Sequence, residues 1–257
     1  MVIKTEKLVV VPGATGDLGR GYLNYYSRRQ NTICIGLSRK DENNPINSVQ
    51  YLKANLEEPI LIKEQIQRNL LERVPNILLI HPVGKFKFER DGTPESDNDC
   101  NGIDDEVQSS NITTFQNIVR YLLEKRKEGN ISLIKLVAFG SISDPYGIPW
   151  WGSYSKSKLM LRRYIRELTR IEPMVQGIFV NLSSINTSNE RKLRPFADTT
   201  YWLSPNEVVA KSVPIIENSR YQYLELDIFK PCPNYHENYY KEFDALKKEW
   251  LKDRGRE

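Results

Sequence analysis

A tyrosine and a lysine stand four residues apart in this sequence, at Tyr154 and Lys158. Residues with that spacing share one face of a helix, about one turn apart. An unperturbed phenol has a pKa of about 10, and a neighbouring ammonium group favours the phenolate and should lower that pKa. Ser141, thirteen residues before Tyr154, is placed to hydrogen-bond a substrate oxygen. These three groups predict a general acid for the conversion of a carbonyl into an alcohol.

The elements that would position these side chains are a strand and a helix. The apolar run 133–139 predicts a strand, and Ser141 follows it at the carboxyl end, the edge where open α/β sheets bind ligands. A stripe with helical spacing predicts a half-buried helix and comprises Tyr154, Lys158, Leu161, Ile165 and Leu168. Because the chain holds 14 tyrosines and many lysines, a chance occurrence of the tyrosine–lysine pair stays an alternative.

Three glycines near the start of the chain, Gly13, Gly16 and Gly19, follow the β-branched run 8–11. Glycines between a strand and a helix permit a tight turn and a close approach of the backbone to a pyrophosphate. The N–H groups at the start of the following helix would bind phosphate. The sequence therefore predicts a dinucleotide-binding turn at this point, with an ordinary loop as the alternative.

Arg39 follows the second predicted strand, twenty residues after Gly19. A carboxylate near this point would bind a ribose 2′-hydroxyl, whereas a cation accommodates a 2′-phosphate. No acidic residue occurs between Gly19 and Lys40. The phosphorylated cofactor, NADP(H), is therefore favoured over NAD(H), and loop charges without a ligand are the alternative.

Along the whole chain, apolar runs typical of strands alternate with segments of helical periodicity. The predicted strands are 8–11, 32–37, 49–52, 76–80, 133–139, 174–181 and 221–228, and the predicted helices include 58–72, 104–127, 205–217 and about 237–252. This pattern predicts a single α/β domain spanning 1–257, with a doubly wound parallel sheet of about seven strands flanked by helices. The segment 182–204 reads as a long irregular stretch and predicts a lid over substrate.

Composition excludes several classes of protein. The net charge of +4 is scattered rather than gathered in a basic patch, which argues against nucleic-acid binding. No run approaches 18 apolar residues, so no membrane span is expected. The three cysteines are far apart and the start lacks a signal-peptide pattern, which indicates a cytoplasmic setting.

A metal site is not expected either. Asp97, Asp99, Asn101 and Gly102 match the opening of a calcium-binding loop, but the closing position is Gln108 instead of a glutamate. Cys232 and His236 are too few for zinc.

Taken together, residues 7–228 resemble the short-chain dehydrogenase/reductase family. The resemblance rests on the glycine turn and on the ordered set Asn111, Ser141, Tyr154 and Lys158. It implies a Rossmann-type fold, with those four residues as the catalytic tetrad. Asn111, which interrupts an apolar helix stripe, would hold a water in a proton relay. Lys158 would also bind the nicotinamide ribose.

The resemblance further implies which residues touch the cofactor. They are Gly13, Thr15, Gly16, Asp17, Leu18, Gly19, Ser38, Arg39, Asn55, Leu56, His81, Pro82, Tyr154, Lys158 and Thr187. The partner would be a small-molecule carbonyl or alcohol, and a homodimer or homotetramer is implied. Four aromatic residues in segments near the site suggest a hydrophobic or ring-containing substrate, namely Tyr146, Trp150, Trp151 and Trp202.

The sequence departs from the family pattern at several points. Its glycines are spaced three and three, as in the extended and atypical branches, although the length suits the single-domain branch. His81-Pro82-Val83 replaces the usual Asn-Asn-Ala, and Ile185-Asn186 replaces Pro-Gly before Thr187. An epimerase or dehydratase with bound nucleotide, and a non-catalytic dinucleotide sensor, are therefore alternatives to a reductase.

Overall fold

A computed structural model describes residues 7–58, 74–89, 103–128, 131–230 and 238–256. Its centre is a parallel sheet in the order β3-β2-β1-β4-β5-β6-β7. The strands are β1 (Lys7–Pro12), β2 (Thr32–Ser38), β3 (Val49–Lys53), β4 (Asn76–His81), β5 (Leu133–Ser141), β6 (Val175–Leu182) and β7 (Tyr223–Ile228). The predicted doubly wound sheet of about seven strands is confirmed. The strand order reverses between β1 and β4, where such sheets open a crevice for ligands.

Helices cover both faces of the sheet. They are α1 (Asp17–Tyr26), α2 (Asp105–Gln108), α3 (Thr114–Glu128), α4 (Gly152–Ile171), α5 (Ser188–Leu193), α6 (Pro205–Asn218) and α7 (Phe243–Asp253). The alternation of side chains along β1 shows how the core is divided. Leu8 and Val10 pack into the cluster on one face, and Val9 and Val11 into the cluster on the other. A strand that is apolar at every position is required because both faces are covered.

The structure corrects two predicted elements. The helix predicted at 104–127 is interrupted by a π-helical turn, Ser109–Thr113, between α2 and α3. The segment 182–204 is not irregular throughout, because it contains α5 and a bridge that pairs Ile185 with Leu203. Both departures come from hydrogen bonds that apolar periodicity does not encode.

The other predicted elements either differ in their bounds or lie outside the described residues. The helix predicted near the end begins later than expected, at Phe243. The helix predicted at 58–72 lies almost entirely outside the described ranges, and the calcium-like motif from Asp97 to Gly102 lies wholly outside them. In the part of the chain that is described, no helix has the length and apolarity to cross a bilayer. The same part contains no cluster of three or more potential metal ligands.

Candidate active site

The glycine turn between β1 and α1 is closed by its own backbone. Gly13 has φ +69°, a conformation that glycine adopts without strain, and its carbonyl accepts the Gly16 N–H at 2.9 Å. A β-carbon on Gly19 would lie 2.4 Å from the Gly13 carbonyl oxygen. Only a residue without a side chain fits that position, so the first turn of helix α1 lies in direct contact with the backbone of the glycine turn.

The start of α1 has the features of a phosphate-binding cradle. Gly16 is the N-cap and contributes no side-chain capping bond. The first N–H groups of a helix have no partner within the helix, and the helix dipole adds positive character there. The backbone of Asp17, Leu18 and Gly19 therefore fits a dinucleotide pyrophosphate. The Asp17 carboxylate itself accepts the backbone N–H of Ser188 and so ties α5 to this turn.

The end of β2 presents cations to solvent. The hydroxyls of Thr15 and Ser38 are 3.1 Å apart, and the Ser38 oxygen also accepts the Lys40 N–H. Arg39 and Lys40 are exposed. The next two residues in the chain are carboxylates that pair with other cations, Asp41 with Lys53 and Glu42 with Arg20, each at 2.9 Å.

The other residues predicted to contact the adenine side of the cofactor lie after β3. Asn55 accepts the Glu57 N–H at 3.3 Å and donates to Glu58, so its side chain stabilises a turn. Leu56 is buried, and its carbonyl accepts a hydrogen bond from Asn117. The structure places both residues beside the end of β2, because the Ala54 N–H donates to the Ser38 carbonyl.

Ser141 is the last residue of β5, at the carboxyl edge of the sheet, as predicted. Its hydroxyl lies 2.8 Å from that of Ser143 and accepts the Ser143 N–H at 3.2 Å. Its own N–H donates to the carboxylate of Asp144 at 2.7 Å. The short polar turn therefore fixes the position of the Ser141 hydroxyl oxygen.

Helix α4 carries Tyr154 and Lys158, and a buried carboxylate caps its first turn. Glu89 accepts the N–H of Gly152 at 3.0 Å and that of Ser153 at 3.2 Å. A negative charge at a helix N-terminus is stabilising. The Lys158 ammonium lies 5.5 Å from the centre of the Tyr154 ring. Lys158 is buried and Tyr154 half-buried, which confirms that the polar residues of the stripe face inward.

The electrostatics of this pair differ from the prediction. Burial raises the pKa of Tyr154 well above its usual value, and the charges of Asp144 and Glu190 raise it further. The expected lowering of the tyrosine pKa is thus wrong for this structure, because burial outweighs the nearby ammonium. Burial also lowers the pKa of Lys158 to about 8, against the opposing charge of Asp144.

Asn111 lies in the π-helical turn and is fully buried. Its amide oxygen accepts the Lys85 N–H at 2.6 Å, and its amide nitrogen donates to the Lys85 carbonyl and to the Ser157 hydroxyl. A β-carbon on Gly84 would lie 3.0 Å from the Lys158 nitrogen and 3.3 Å from the Asn111 oxygen. The loop after β4 thus brings Asn111 and Lys158 together, at a π-helical turn of the kind often found at functional sites.

The resemblance implies that His81 and Thr187 contact the cofactor, but in this structure their side chains make contacts within the protein. The His81 ring is buried, with Nε2 3.1 Å from the Thr114 hydroxyl. Burial and the charge of Lys158 lower its pKa to about 3. The Thr187 hydroxyl caps α5 by accepting the Glu190 N–H at 3.2 Å. Pro82 follows β4 in the irregular stretch that leads to Gly84.

An aromatic cluster covers the outer side of the site. The Phe86 ring lies 5.1 Å from Tyr154 and 5.2 Å from Trp250 of helix α7. Trp250 also packs on Phe88 and, at 4.6 Å, on Trp151. The C-terminal helix is therefore part of the wall beside Tyr154.

Arg194 fastens that helix to the segment after β6. It is 5% exposed, and its guanidinium lies 4.6 Å from the Trp202 ring and 4.2 Å from the Trp250 ring. It also pairs with Glu190 at 2.8 Å and with Asp253 at 3.5 Å. Segment 182–204 and α7 therefore form one packed cover.

Sequence reasoning missed several of these residues. Glu89, Arg194 and Phe86 act through contacts with distant parts of the chain, and Asp144 acts through the Ser141 N–H three residues before it. Asp144 alone carried a local signal, since it is an acidic residue three positions after Ser141. Trp150, Trp151 and Trp202 were predicted to line the site and are buried among other side chains, whereas Tyr146 is 39% exposed.

Two surface grooves in the described part of the chain lie away from the candidate catalytic residues. Grooves of about 460 and 350 Å³ run between α1 and the start of α6, and both are lined by Gly21, Asn24 and Asn206. Neither groove contains Ser141, Tyr154 or Lys158. The arrangement of polar groups, rather than cavity volume, points to the carboxyl edge.

Comparison with solved structures agrees with the topology. A short-chain dehydrogenase from Burkholderia cenocepacia in complex with NADP superimposes with a TM-score of 0.67 at 16% identity, covering 96% of this chain and 99% of its own. A 4-hydroxyisoleucine dehydrogenase complexed with NADH gives 0.68 at 14% identity, covering 90% and 100%. A short-chain dehydrogenase from Salmonella enterica serovar Typhi gives 0.69 at 18% identity, covering 88% and 96%. The chain has the short-chain dehydrogenase fold.

Sequence comparison adds no closer relative. No protein-family model matches the chain. A search of curated proteins finds no match either. Because the sequence identities are below 20%, the structural similarity establishes only the fold, and the activity must be inferred from the residues of the site.

Proposed function

We propose that this protein is an NADP(H)-dependent oxidoreductase of the short-chain dehydrogenase/reductase type, which interconverts a carbonyl and an alcohol. The observation that carries the proposal is the position of the buried Lys158 ammonium, 5.5 Å from the Tyr154 ring, on the helix that faces the end of β5. Burying a cation costs free energy, and titratable groups that are perturbed by burial cluster at functional sites. The glycine turn after β1 supplies the matching phosphate cradle.

Each side chain has a role in this mechanism. The oriented Ser141 hydroxyl would hydrogen-bond the substrate oxygen. Tyr154 is neutral near pH 7, since an ordinary phenol has a pKa of about 10 and burial raises this one further, and it would give its proton to that oxygen during reduction. Lys158, mostly protonated at pH 7 with a pKa of about 8, would stabilise the resulting phenolate. When bound, NADPH would supply the hydride.

Asn111 would contribute by position. Its amide is fully engaged with Lys85 and Ser157, so the side chain fixes the loop beside Lys158. The proton relay through a water at Asn111, which the resemblance implies, remains a prediction.

The preference for NADP(H) rests on the cations at the end of β2. Arg39 and Lys40 are exposed there, and Asp41 and Glu42 are committed to other cations. A 2′-phosphate would meet positive charge, and a bare ribose would lack its usual carboxylate acceptor.

The cover made by 182–204 and α7 supports a hydrophobic substrate and a lid. Phe86 and Trp250 place apolar surface beside Tyr154, and α5 reaches the glycine turn through the Asp17–Ser188 bond. Movement of this cover would admit substrate and then exclude water.

The resemblance also implies a homodimer or homotetramer, and the scattered cysteines indicate a cytoplasmic location. Sedimentation velocity of the purified chain tests the first of these two expectations.

The decisive experiment is a pair of binding titrations with NADPH and NADH. We expect NADPH to bind more tightly, and Arg39→Asp to weaken NADPH binding by about tenfold, or 1.4 kcal/mol, while affecting NADH less. Arg220→Asp is the matched control, because it makes the same charge change at an exposed residue before β7, at the opposite edge of the sheet. If neither nucleotide binds, the reductase proposal fails.

Turnover is tested next with aldehydes and ketones and NADPH. Tyr154→Phe should abolish reduction and leave NADPH binding intact, because it removes only the hydroxyl. Binding of nucleotide without any turnover in the unmodified protein would favour the sensor alternative.

A further inference from the structure

Residues 84–89, which we call the strap, lead from the end of β4 to the start of helix α4. At one end of the strap, a β-carbon on Gly84 would lie 3.0 Å from the Lys158 nitrogen. In its middle, the Phe86 ring lies 5.1 Å from the ring of Tyr154. The strap therefore passes both polar residues of α4 in the candidate site, in the reverse of their order along the helix.

Glu89 ends the strap and ties it to the start of α4 by three hydrogen bonds. Its two carboxylate oxygens accept the Gly152 N–H at 3.0 Å and the Ser153 N–H at 3.2 Å. Its own N–H donates to the Trp150 carbonyl at 2.7 Å. Because the first N–H groups of a helix have no partner within the helix, one carboxylate satisfies two groups that the helix leaves open.

The surroundings of Glu89 make this tie strong. The residue is 6% exposed, and a buried carboxylate needs hydrogen bonds to offset the loss of water. Hydrogen bonds to an ionised group are stronger than those between neutral groups, and negative charge is favoured at a helix N-terminus. An amide at position 89 would offer one acceptor instead of two, so a glutamine cannot replace the carboxylate in full.

The two bonded N–H groups directly precede Tyr154. The ends of helices fray unless they are held, and core packing holds α4 only further along, at Leu161 and Ile165. The Ser153 hydroxyl also accepts the Asp104 N–H at 3.1 Å. That bond uses a side chain, whereas Glu89 holds the backbone from which Tyr154 continues.

We propose that Glu89 is a positioning residue, whose carboxylate holds the first turn of α4 against the strap and so sets the place of the Tyr154 phenol. This inference rests on the proposed function for its meaning in catalysis. Glu89 acts through backbone N–H groups and transfers no proton to substrate.

The test measures the contact between the strap and Tyr154 by NMR in the full chain. The ring resonances of Tyr154 and Phe86 are assigned by their loss in Tyr154→Phe and Phe86→Leu, and the nuclear Overhauser effect between the two rings is recorded. We expect Glu89→Gln, which removes one acceptor, to weaken this effect, and Glu89→Ala, which removes both, to weaken it further. A loss of stability alone leaves the ring contact of the folded chain in place. An undiminished effect in both variants overturns the proposal.

Glu207→Gln is the matched control. It makes the same substitution at the start of α6, where the carboxylate accepts the Ser204 N–H at 2.6 Å. It should leave the ring contact between Tyr154 and Phe86 unchanged. An equal weakening in this variant would show that the effect is not specific to the strap and would refute the role of Glu89.

A second measurement covers the case in which neither Glu89 variant folds. It uses the unsubstituted chain and compares the first two amides of α4, Gly152 and Ser153, with those of α1, Asp17 and Leu18. The α1 N-cap, Gly16, makes no side-chain capping bond. We expect the α4 amides to exchange with solvent deuterium at least about tenfold more slowly, relative to their intrinsic rates, because each is bonded to a charged acceptor. Equal protection at the two helix starts would contradict the tie.

These readouts need neither cofactor nor substrate, so they separate the positioning role from the proposed activity. With NADPH and benzaldehyde as the probe, Glu89→Gln should lower kcat by about tenfold or more and change KM and NADPH affinity by less than about twofold. An active reductase with the same kcat in Glu89→Gln refutes the positioning role and leaves the activity standing. A weakened ring contact in a protein that reduces no carbonyl supports the placement of Tyr154 by Glu89 while the proposed activity fails.

Discussion

The side-chain amide of Asn111 hydrogen-bonds both backbone groups of Lys85, one through its oxygen and one through its nitrogen. This pairing joins the π-helical turn before α3 to the loop that follows β4, twenty-six residues earlier in the chain. Since Gly84 in that loop lies next to both Asn111 and Lys158, the pairing also positions the loop that borders the candidate site.

Replacing Asn111 with alanine should therefore loosen this loop. We expect Asn111→Ala to lower the free energy of unfolding by about 1–3 kcal/mol, the cost of leaving buried polar groups without partners. Urea denaturation measures the change. Asn218→Ala is the control, because the exposed Asn218 makes one hydrogen bond within its own helix and its loss should cost less than about 0.5 kcal/mol. Equal losses in the two variants would contradict the role assigned to Asn111.

The contact between Gly19 and Gly13 gives a second prediction. In Gly19→Ala the new methyl group would sit 2.4 Å from a backbone oxygen, so the turn has to move. Displacement of the helix N-terminus misaligns the N–H groups that would hold a pyrophosphate. We expect NADPH binding to weaken by at least about tenfold, measured by fluorescence titration.

Gly21→Ala is the control for that variant. It adds the same methyl group two residues further along α1. The nearest atom there is a side-chain methyl of Val209 at 3.3 Å. That side chain can adjust, and alanine favours the helix more than glycine does. NADPH affinity should stay unchanged, and a loss as large as that of Gly19→Ala would mean that the turn is not the phosphate site.

The sheet could be predicted from sequence because its central strands β1, β4, β5 and β6 contain runs of consecutive apolar residues. The run at 8–11 and the run at 133–139 fall within β1 and β5, and the alternation of residues between two core clusters follows from strand geometry. The π-helical turn Ser109–Thr113 escaped prediction since nothing in the apolar period marks it. Its position depends on where Asn111 meets Lys85, which is a tertiary contact.

The placement of the candidate site's residues on the fold was predictable from sequence, and their electrostatics were less so. Spacing placed Ser141 at a strand end and put Tyr154 and Lys158 on one helix face. It indicated the wrong direction for the Tyr154 pKa, because the depth of burial and the charge of Asp144 arise only on folding. A pairwise argument from two neighbours omits desolvation, the largest influence on this phenol.

The cover beside the site should depend strongly on Arg194. We expect Arg194→Ala to lower the free energy of unfolding by about 3 kcal/mol, because it leaves the carboxylates of Glu190 and Asp253 without their buried partner and removes two ring contacts. Arg170→Ala, which breaks an exposed pair with Glu167, should cost less than about 1 kcal/mol. Urea denaturation compares the two. Similar costs would show that Arg194 does not fasten α7 to the body.

The buried ring of His81 predicts how stability responds to acid. Its pKa is about 3 in the folded chain and about 6.5 when the chain is unfolded. Between these values the unfolded chain binds a proton that the folded chain does not, so stability falls as pH drops through this range. The contribution is fully present above pH 6.5 and is lost toward pH 3.

Asp144 acts in the opposite direction over part of the same range. Its pKa is about 7 in the folded chain, above the usual value of about 3.9, so it takes up a proton on folding and loses stability as pH rises toward 7. The two slopes oppose each other between about pH 4 and 6.5. Their partial cancellation hides each one in the unsubstituted chain.

Separate substitutions should reveal the two slopes. His81→Gln keeps a group that can hydrogen-bond Thr114 and cannot titrate, so its stability should decline less steeply than that of the unsubstituted chain as pH falls from 6.5 to 4. Asp144→Asn should decline more steeply over the same interval, because only the His81 slope remains. Urea denaturation at half-unit steps of pH measures both, and each single proton accounts for a difference of up to about 1.4 kcal/mol per pH unit. Parallel curves for the two variants would mean that folding does not shift the pKa values of His81 and Asp144 in opposite directions.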